Sequence, residues 1–114
     1  VNIVNNAVYA LMQGKQKSLK LIFVNIYKKN NEAIIEIIDN AGGIPLDIID
    51  RVFEPYFTTK HKAQGTGLGL YSVHQIVTDS LNGQIDVLNK KFNYKKITYT
   101  GAEFIITVPI NKED

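Results

Sequence analysis

The spacing of apolar and polar residues along the chain predicts three helices and four strands. Helices are predicted where apolar residues recur about every 3.6 positions, and strands where short β-branched and aromatic runs are bounded by turn residues. The predicted helices are residues 1–13, residues 46–52, and a segment that opens at the glycines of residues 65–70 and runs to about residue 80. The predicted strands are residues 19–27, 33–38, 84–88 and 102–110. A chain of 114 residues can form one domain around one core.

The first predicted helix is unusual because its polar residues are the minority. One side, about a third of the circumference, carries Asn2, Asn5, Asn6, Tyr9 and Gln13, and the rest is apolar. We therefore expect a mostly buried helix whose amide groups must be satisfied by protein, water or a ligand. Asn2 and Asn6 are one turn apart and can point into the same cavity. Hydrogen bonds to neighbouring backbone are the alternative.

The next two predicted strands lead to an acidic turn rich in glycine. Both faces of residues 19–27 carry apolar side chains, which predicts an interior strand. Residues 33–38 then deliver Asp39 to the start of the run Asp-Asn-Ala-Gly-Gly-Ile-Pro, residues 39–45. Glycines permit positive φ angles and a close approach of another group to the main chain. The carboxylate is placed to accept a hydrogen bond from a ligand, although plain turns of this composition are also common.

A second glycine-rich segment precedes the last predicted helix. Residues 58–64 hold few side chains that could be buried and include Lys60, His61 and Lys62, so we predict a mobile loop; a solvated linker is the alternative. Glycines before a helix leave N–H groups free at the positive end of the helix dipole, and this arrangement binds phosphate. The spacing fits neither a P-loop nor a Rossmann turn. His74 is expected to be packed or at the surface rather than catalytic.

Composition argues against several classes of protein. The formal net charge of +2 is too small to indicate nucleic acid or a membrane surface as a partner. The chain has no cysteine, which excludes a disulfide scaffold and fits a reducing compartment. No apolar run approaches the roughly 20 residues that a membrane span needs. Residues 89–101 mix lysines with aromatic residues, as RNA-binding segments can, but their alternation favours an extended β-hairpin.

Together, four motifs resemble those of the ATP-binding catalytic domains of sensor histidine kinases. That family belongs to the superfamily of DNA gyrase, the heat-shock chaperone ATPases and the mismatch-repair ATPases. Residues 2–7 resemble the N box, residues 39–45 the first glycine box, residues 53–60 the F box and residues 65–70 the second glycine box. The resemblance implies a single domain over residues 1–114 with the Bergerat-type fold. This fold is a two-layer α/β sandwich in which helices cover one face of a mixed, mostly antiparallel sheet.

The resemblance also implies roles for individual residues. Asn6 would be the Mg²⁺ ligand, Asp39 would bind adenine, and Lys60 would contact the terminal phosphates from an ATP lid at residues 58–64. Asn6 and Lys60 would be the catalytic pair. The implied Mg·ATP contacts are Asn2, Asn6, Asp39, Gly43, Ile44, Phe57, Thr58, Thr59, Lys60, Gly65, Thr66, Gly67, Leu68 and Gly69. The chain departs from the family in Ala41, which replaces a usual glycine, in its short lid and in its long segment 89–101.

By this resemblance the domain would bind Mg·ATP and donate the γ-phosphate to a histidine on a separate dimerisation domain. A response regulator would then receive the phosphoryl group on an aspartate. The alternative is an ATP-hydrolysing conformational switch, whose members resemble each other in carrying a glutamate one turn before the magnesium asparagine. That position is Asn2 here, a poor general base, which favours the kinase. A nucleotide-binding pseudo-enzyme is the third hypothesis.

The implied partners are the dimerisation and phosphoacceptor domain of the same kinase and the receiver domain of a response regulator. We expect no nucleic acid and no direct membrane contact by this domain. Its location would be the cytoplasm, within a longer protein that can be anchored in the inner membrane. The chain lacks an initiator Met and begins inside a helix, so we expect a fragment of a longer protein. Neither His61 nor His74 has a helical context typical of a phosphoacceptor, so we expect no autophosphorylation by the fragment alone. We expect a monomer, because dimerisation is the role of the missing domain.

Overall fold

The computed structural model describes residues 2–13, 19–57 and 69–110. The described helices and strands are α1 Asn2–Gln13, β1 Ile22–Lys29, β2 Glu32–Asp39, α2 Gly69–Gln75, β3 Gln84–Tyr94 and β4 Ile97–Pro109. A short 3₁₀ turn, Ile49–Arg51, lies between β2 and α2, and a π-helical turn, Ile76–Ser80, continues α2. The predicted ATP lid and most of the second glycine box lie outside the described residues.

The four described strands form one sheet in the order β1-β2-β4-β3, and every pairing in it is antiparallel. On the face toward the helices, Ile37 of β2 lies opposite Phe104 of β4, which lies opposite Val87 of β3. Helices on one face of an antiparallel sheet confirm the predicted two-layer α/β fold. The long hairpin predicted for residues 89–101 is also confirmed, with its turn at Lys95 and Lys96.

The main core lies between the helices and this face of the sheet. Its buried residues come from both layers and are Ile3, Val77, Ile85, Ala102 and Phe104. Phe53, from the segment between β2 and α2, stacks on this core, with its ring centroid 6.1 Å from Phe104 and 5.2 Å from His74. His74 is therefore packed, which is one of the two positions predicted for it.

The opposite face of the sheet has a smaller aromatic cluster. Phe23 of β1 contacts Phe92 edge-on at 5.9 Å between ring centroids, and Phe92 lies 5.8 Å from Tyr99 of β4. Phe23 also lies 5.1 Å from Tyr94, near the end of β3. The outer part of the β3–β4 hairpin is therefore packed against the body of the sheet.

Two predictions about burial are wrong. The strand β1 is an edge strand among the described strands, because it pairs with β2 alone, and its Ile26 is 71% exposed. Apolar β-branched residues favour strand geometry itself, so their presence on both faces did not indicate burial. The helix α1 buries one stripe, Ile3, Ala7 and Leu11, while Met12 is 67% exposed. A spacing of four residues places that stripe alone against the sheet.

Two predicted helices also differ from the structure. Residues 46–52 form turns rather than two helical turns; the Pro45 carbonyl accepts hydrogen bonds from both Ile48 and Ile49 before the 3₁₀ turn begins. The end of α2 widens, and the Leu81 N–H donates to the Ile76 carbonyl, five residues earlier. A π turn holds an extra residue and so rotates the next residues about the helix axis. Leu81, predicted on the apolar face, is consequently exposed.

None of the helices in the described ranges combines the length and the apolar character that a membrane-spanning helix requires.

Candidate functional site

Asp39, the last residue of β2, has a buried carboxylate. Its side chain is 6% exposed, and Oδ1 accepts hydrogen bonds from the backbone N–H of Ala41 at 2.9 Å and of Ala102 at 3.3 Å. The other oxygen, Oδ2, receives no hydrogen bond from the described residues, although it is not fully buried. Burial raises the pKa of the Asp39 carboxyl, and the two backbone donors oppose that rise only in part. An incoming donor would stabilise the carboxylate.

The glycine turn after Asp39 needs two glycines for different reasons. Gly42 and Gly43 have φ angles of +100° and +91°, which L residues with a Cβ rarely adopt. A Cβ at Gly42 would meet no atom within 4 Å, whereas one at Gly43 would lie 2.7 Å from Oδ1 of Asn89. The Gly42 N–H donates to the Thr100 carbonyl of β4 at 3.0 Å. Ala41 has no positive φ, so its backbone conformation does not require the glycine that the resembling family usually has there.

Ile44 ends the turn and is fixed by a residue that the sequence prediction missed. The Asn89 side chain accepts from the Ile44 N–H at 2.6 Å and donates to the Ile44 carbonyl at 2.8 Å. The Ile44 side chain packs against the main core. The available signal was register, because Asn89 continues the inward-facing series of Ile85 and Val87, where a polar residue is unusual.

Asn40 is a buried amide that sequence reasoning also did not single out. Its Oδ1 accepts from the Leu21 N–H at 2.8 Å, and its Nδ2 donates to the Leu19 carbonyl at 2.7 Å. The oxygen and the nitrogen of the side-chain amide thus both bond to the segment before β1. Asn40 therefore connects that segment to the end of β2, and we assign it no ligand.

The start of α1 and the start of α2 are adjacent. The Asn2 side chain donates to the Gly69 carbonyl at 3.4 Å, and a Cβ at Gly69 would be in ordinary contact with Asn2 Oδ1 at 3.6 Å. Asn6, one turn along α1, is half-buried. The structure therefore brings the predicted N box next to the end of the second glycine box.

The predicted site residues accordingly form two described groups around one core. The first group contains Asp39, Gly43 and Ile44. The second group contains Asn2, Asn6 and Gly69. Ile44 of the first group packs against the core cluster that contains Ile3, and so does Leu70, which follows Gly69 of the second group. Phe57 lies apart, half-buried beneath the Arg51 guanidinium, which is 4.6 Å from its ring centroid. The remaining predicted residues, Thr58, Thr59, Lys60, Gly65, Thr66, Gly67 and Leu68, lie outside the described residues.

The donor set fits Mg²⁺ held mainly by a nucleotide. Within residues 2–13, 19–57 and 69–110, no three His, Cys, Asp or Glu side chains are grouped so that they could bind a metal ion. Mg²⁺ commonly keeps several waters and takes one or two protein oxygens together with substrate phosphates. The amide oxygen of Asn6 is of the chemical type that such a site can use.

A helix layer on one face of an antiparallel sheet, with a buried acid and a glycine turn at a strand end, defines the class of two-layer ATP-binding domains. The chain matches the family described as "Histidine kinase-, DNA gyrase B-, and HSP90-like ATPase" over residues 1–112 and belongs to that family.

Within this family, the chain is similar to sensor histidine kinases. It is 34% identical over 111 residues to the sensor histidine kinase ZraS of Escherichia coli (strain K12), which covers 97% of this chain and 21% of ZraS. It is 37% identical over 87 residues to the sensor kinase CckA of Brucella abortus (strain 2308), which covers 68% of this chain and 9% of CckA. The chain spans about a fifth or less of these curated relatives.

Solved structures give the same result. The catalytic domain of histidine kinase ThkA has a TM-score of 0.71 and 26% identity, with 95% of this chain and 62% of that chain covered. The mycobacterial sensor histidine kinase MprB has a TM-score of 0.70 and 26% identity, with 95% and 65% covered. The predicted resemblance to the catalytic domains of sensor histidine kinases is thereby confirmed.

Proposed function

We propose that this domain binds Mg·ATP and donates the γ-phosphate to a histidine of a separate dimerisation domain, from which an aspartate of a response regulator receives it. The observation that carries the proposal is the geometry of Asp39 in a chain of this family. One carboxylate oxygen is held by two backbone donors, and the other takes no hydrogen bond from the described residues, next to a turn that only glycine fits well.

At the base end, Oδ2 of Asp39 accepts a hydrogen bond from the exocyclic amine of adenine. The accepted bond favours the ionised carboxylate, whose pKa burial otherwise raises. Gly43 permits the positive φ angle of this turn, and the backbone of the turn would lie against the base. Ile44, whose side chain rests on the main core, provides an apolar contact beside the base.

At the phosphate end, the residues act by positioning and by charge. Asn6 would supply an amide oxygen to Mg²⁺, and the ion would contribute neutralisation of the phosphate charge. By the resemblance, Thr58, Thr59 and Lys60 would contact the terminal phosphates, and backbone N–H groups of the glycine-rich run at residues 65–69 would donate to phosphate oxygens. Phosphoryl transfer requires little more of a protein than such positioning and neutralisation.

The domain itself provides no phosphoacceptor among its described residues. His74, the one histidine in the described ranges, stacks on Phe53 at 5.2 Å and is half-buried on the core side of α2. The acceptor histidine is therefore proposed to come from the dimerisation domain, and the site of action is the cytoplasm.

Asn2 supports the kinase over an ATP-hydrolysing switch. A hydrolase of this superfamily would need a general base one turn before Asn6, but the Asn2 amide cannot accept a proton from water and instead donates to the Gly69 carbonyl. We expect ATP turnover by the isolated domain to be negligible.

Calorimetric titration tests the proposal. ADP and a non-hydrolysable ATP analogue are titrated, with and without Mg²⁺, into the wild type, Asp39→Asn and the matched control Asp47→Asn, which changes an exposed acid nearby. We expect binding to wild type and control and at least a roughly tenfold weaker affinity for Asp39→Asn, since a hydrogen bond to a charged group contributes about 1.5–3 kcal/mol.

The same series can contradict the proposal. Equal affinity in folded Asp39→Asn would remove Asp39 from the site, and steady ATP hydrolysis by the wild type would favour the switch. Phosphate transfer to a histidine-bearing dimerisation domain added in trans would establish the kinase step.

A further inference from the structure

The β3–β4 hairpin supports the glycine turn at both ends. At the first end, Ala102 donates to Asp39 Oδ1, and a Cβ at Gly101 would overlap the Asp39 carbonyl. In the middle, the Gly42 N–H donates to Thr100. At the far end, Asn89 binds both backbone groups of Ile44. The β3–β4 hairpin thus contacts the turn at three points, and the Asn89 side chain makes the contact at the Ile44 end.

We propose that Asn89 is a positioning residue for the nucleobase, acting through the Gly43–Ile44 backbone rather than by touching the nucleotide; this assignment rests on the proposed function. Residues 39–44 form a short span between two anchors. With the Ile44 anchor in place, the backbone of Gly43 has one position relative to Asp39. Without the Asn89 contacts, only the Asp39 and Gly42 contacts hold the turn. The Gly43–Ile44 backbone beside the base is then free to move.

The chemistry of the contact selects asparagine. The Ile44 N–H needs an acceptor and the Ile44 carbonyl needs a donor, and one carboxamide satisfies both at 2.6 Å and 2.8 Å. An aspartate of the same shape can accept but, when ionised, cannot donate, so it would face the carbonyl oxygen with a second acceptor. Alanine provides neither group. Asn89→Asp and Asn89→Ala therefore remove the anchor in two different ways.

The fit at Gly43 points to the same role. A Cβ added at Gly43 would lie 2.7 Å from Asn89 Oδ1, so the asparagine can keep its place beside the turn without shifting only while residue 43 is glycine. Asn89 lies 45 residues away in sequence, on the inward side of β3, and so ties the hairpin directly to the base end of the site.

The test compares ADP with inosine diphosphate. Inosine lacks the exocyclic amine that Asp39 would bind, so the ratio of the two dissociation constants measures how well Asp39 and the turn are aligned with the base. Wild type, Asn89→Ala and Asn89→Asp are titrated with both diphosphates in the presence of Mg²⁺. The control is Asn93→Ala, an exposed asparagine further along the same side of β3 that accepts a hydrogen bond from Thr98 at 2.7 Å.

We expect the wild type and Asn93→Ala to prefer ADP, and both Asn89 variants to lose most of that preference. The expected change is a roughly tenfold weaker affinity for ADP with a smaller change for inosine diphosphate. A variant that is merely less stable would lose affinity for both diphosphates by the same factor, and that result would overturn the assignment. An unchanged ratio in a folded Asn89 variant would also overturn it.

The outcomes separate this assignment from the proposed function. If the wild type binds neither diphosphate, both the proposed function and this inference are wrong. If the wild type prefers ADP and the Asn89 variants keep the same preference, only the inference is wrong. If Asn89→Ala does not fold, Asn89→Asp, which keeps the shape of the side chain, decides. Amide hydrogen exchange provides a ligand-free check, since Ile44 should exchange faster in Asn89→Asp while Gly42 remains protected.

Discussion

At the scale of single residues, Asp39 combines a structural cost with a proposed binding role. Burial raises its pKa, so the native protein holds the proton more tightly than the unfolded chain does. Its contribution to the free energy of unfolding is therefore complete below its ordinary pKa of 3.8 and is lost as the pH rises through the raised native pKa. At neutral pH the ionised side chain lowers stability, and a ligand that donates to it offsets that loss.

Replacing Asp39 by asparagine should preserve or increase stability while weakening nucleotide binding. The amide oxygen can still accept from Ala41 and Ala102, but no charge is buried. We expect the stability gain of Asp39→Asn over wild type to be largest at neutral pH and to shrink toward about pH 4. Urea unfolding at both pH values measures it, with Asp47→Asn as the control. A variant less stable than wild type at neutral pH by more than about 1 kcal/mol would contradict this account of the charge.

The two glycines of the turn allow backbone strain to be separated from steric overlap. Both Gly42→Ala and Gly43→Ala place a Cβ at positive φ, which costs about 1–3 kcal/mol. Only Gly43→Ala also drives that Cβ into Asn89. We therefore expect Gly43→Ala to unfold at lower urea concentration than Gly42→Ala and to show the weaker ADP affinity of the two. Equal losses would mean that Asn89 yields easily and that the turn is not tightly held.

At the scale of elements, the spacing of apolar residues predicted where most helices and strands lie, but not how exposed they are or how they end. Periodicity placed α1, β2 and the β3–β4 hairpin, because these depend on spacing and turn residues within one segment. Exposure of β1 depends on which strands pair with it, and the wide turn after Gln75 depends on how the chain reaches β3. Neither is encoded by spacing within the segment itself.

The candidate site divides in the same way. Asp39 and the glycines could be identified from residue type, because an acid at a strand end and a pair of glycines carry chemistry wherever they occur. Asn89 could not be identified, since its proposed role rests on a contact 45 residues away and only its register indicated a polar group on the inward face of the sheet. Long-range polar contacts of this kind become visible only in the folded chain.

The strand β1, at the edge of the described sheet, has exposed apolar side chains that contribute little to the buried core. Ile26 is 71% exposed, so Ile26→Lys should change the free energy of unfolding by less than about 0.5 kcal/mol. A lysine on an edge strand discourages pairing with a second chain, so the variant should stay monomeric to higher concentration than wild type. Light scattering across a concentration series measures this, with Ile26→Val as the apolar control. Destabilisation by Ile26→Lys but not by Ile26→Val would show that the side chain packs more than its exposure indicates.

At the scale of the whole molecule, one core connects the two halves of the candidate site. Ile3 is next to Asn2 on α1, Ala102 donates to Asp39 from β4, and both belong to the same buried cluster. The base end and the phosphate end should therefore form and melt together rather than as independent parts. This coupling is what allows a single ligand to report on the integrity of the whole fold.

Thermal unfolding should accordingly be one cooperative transition, and Mg·ADP should raise its midpoint. Far-ultraviolet circular dichroism and tyrosine absorbance should give coincident curves, as two-state domains of this size do. A ligand at about a hundred times its dissociation constant stabilises the folded state by about 2.7 kcal/mol, which corresponds to a rise of roughly 10 °C or more. Asp39→Asn should show little of that rise, whereas Asp47→Asn should show all of it. Two separate transitions would contradict the shared core, and an equal rise in Asp39→Asn would place nucleotide binding elsewhere on the molecule.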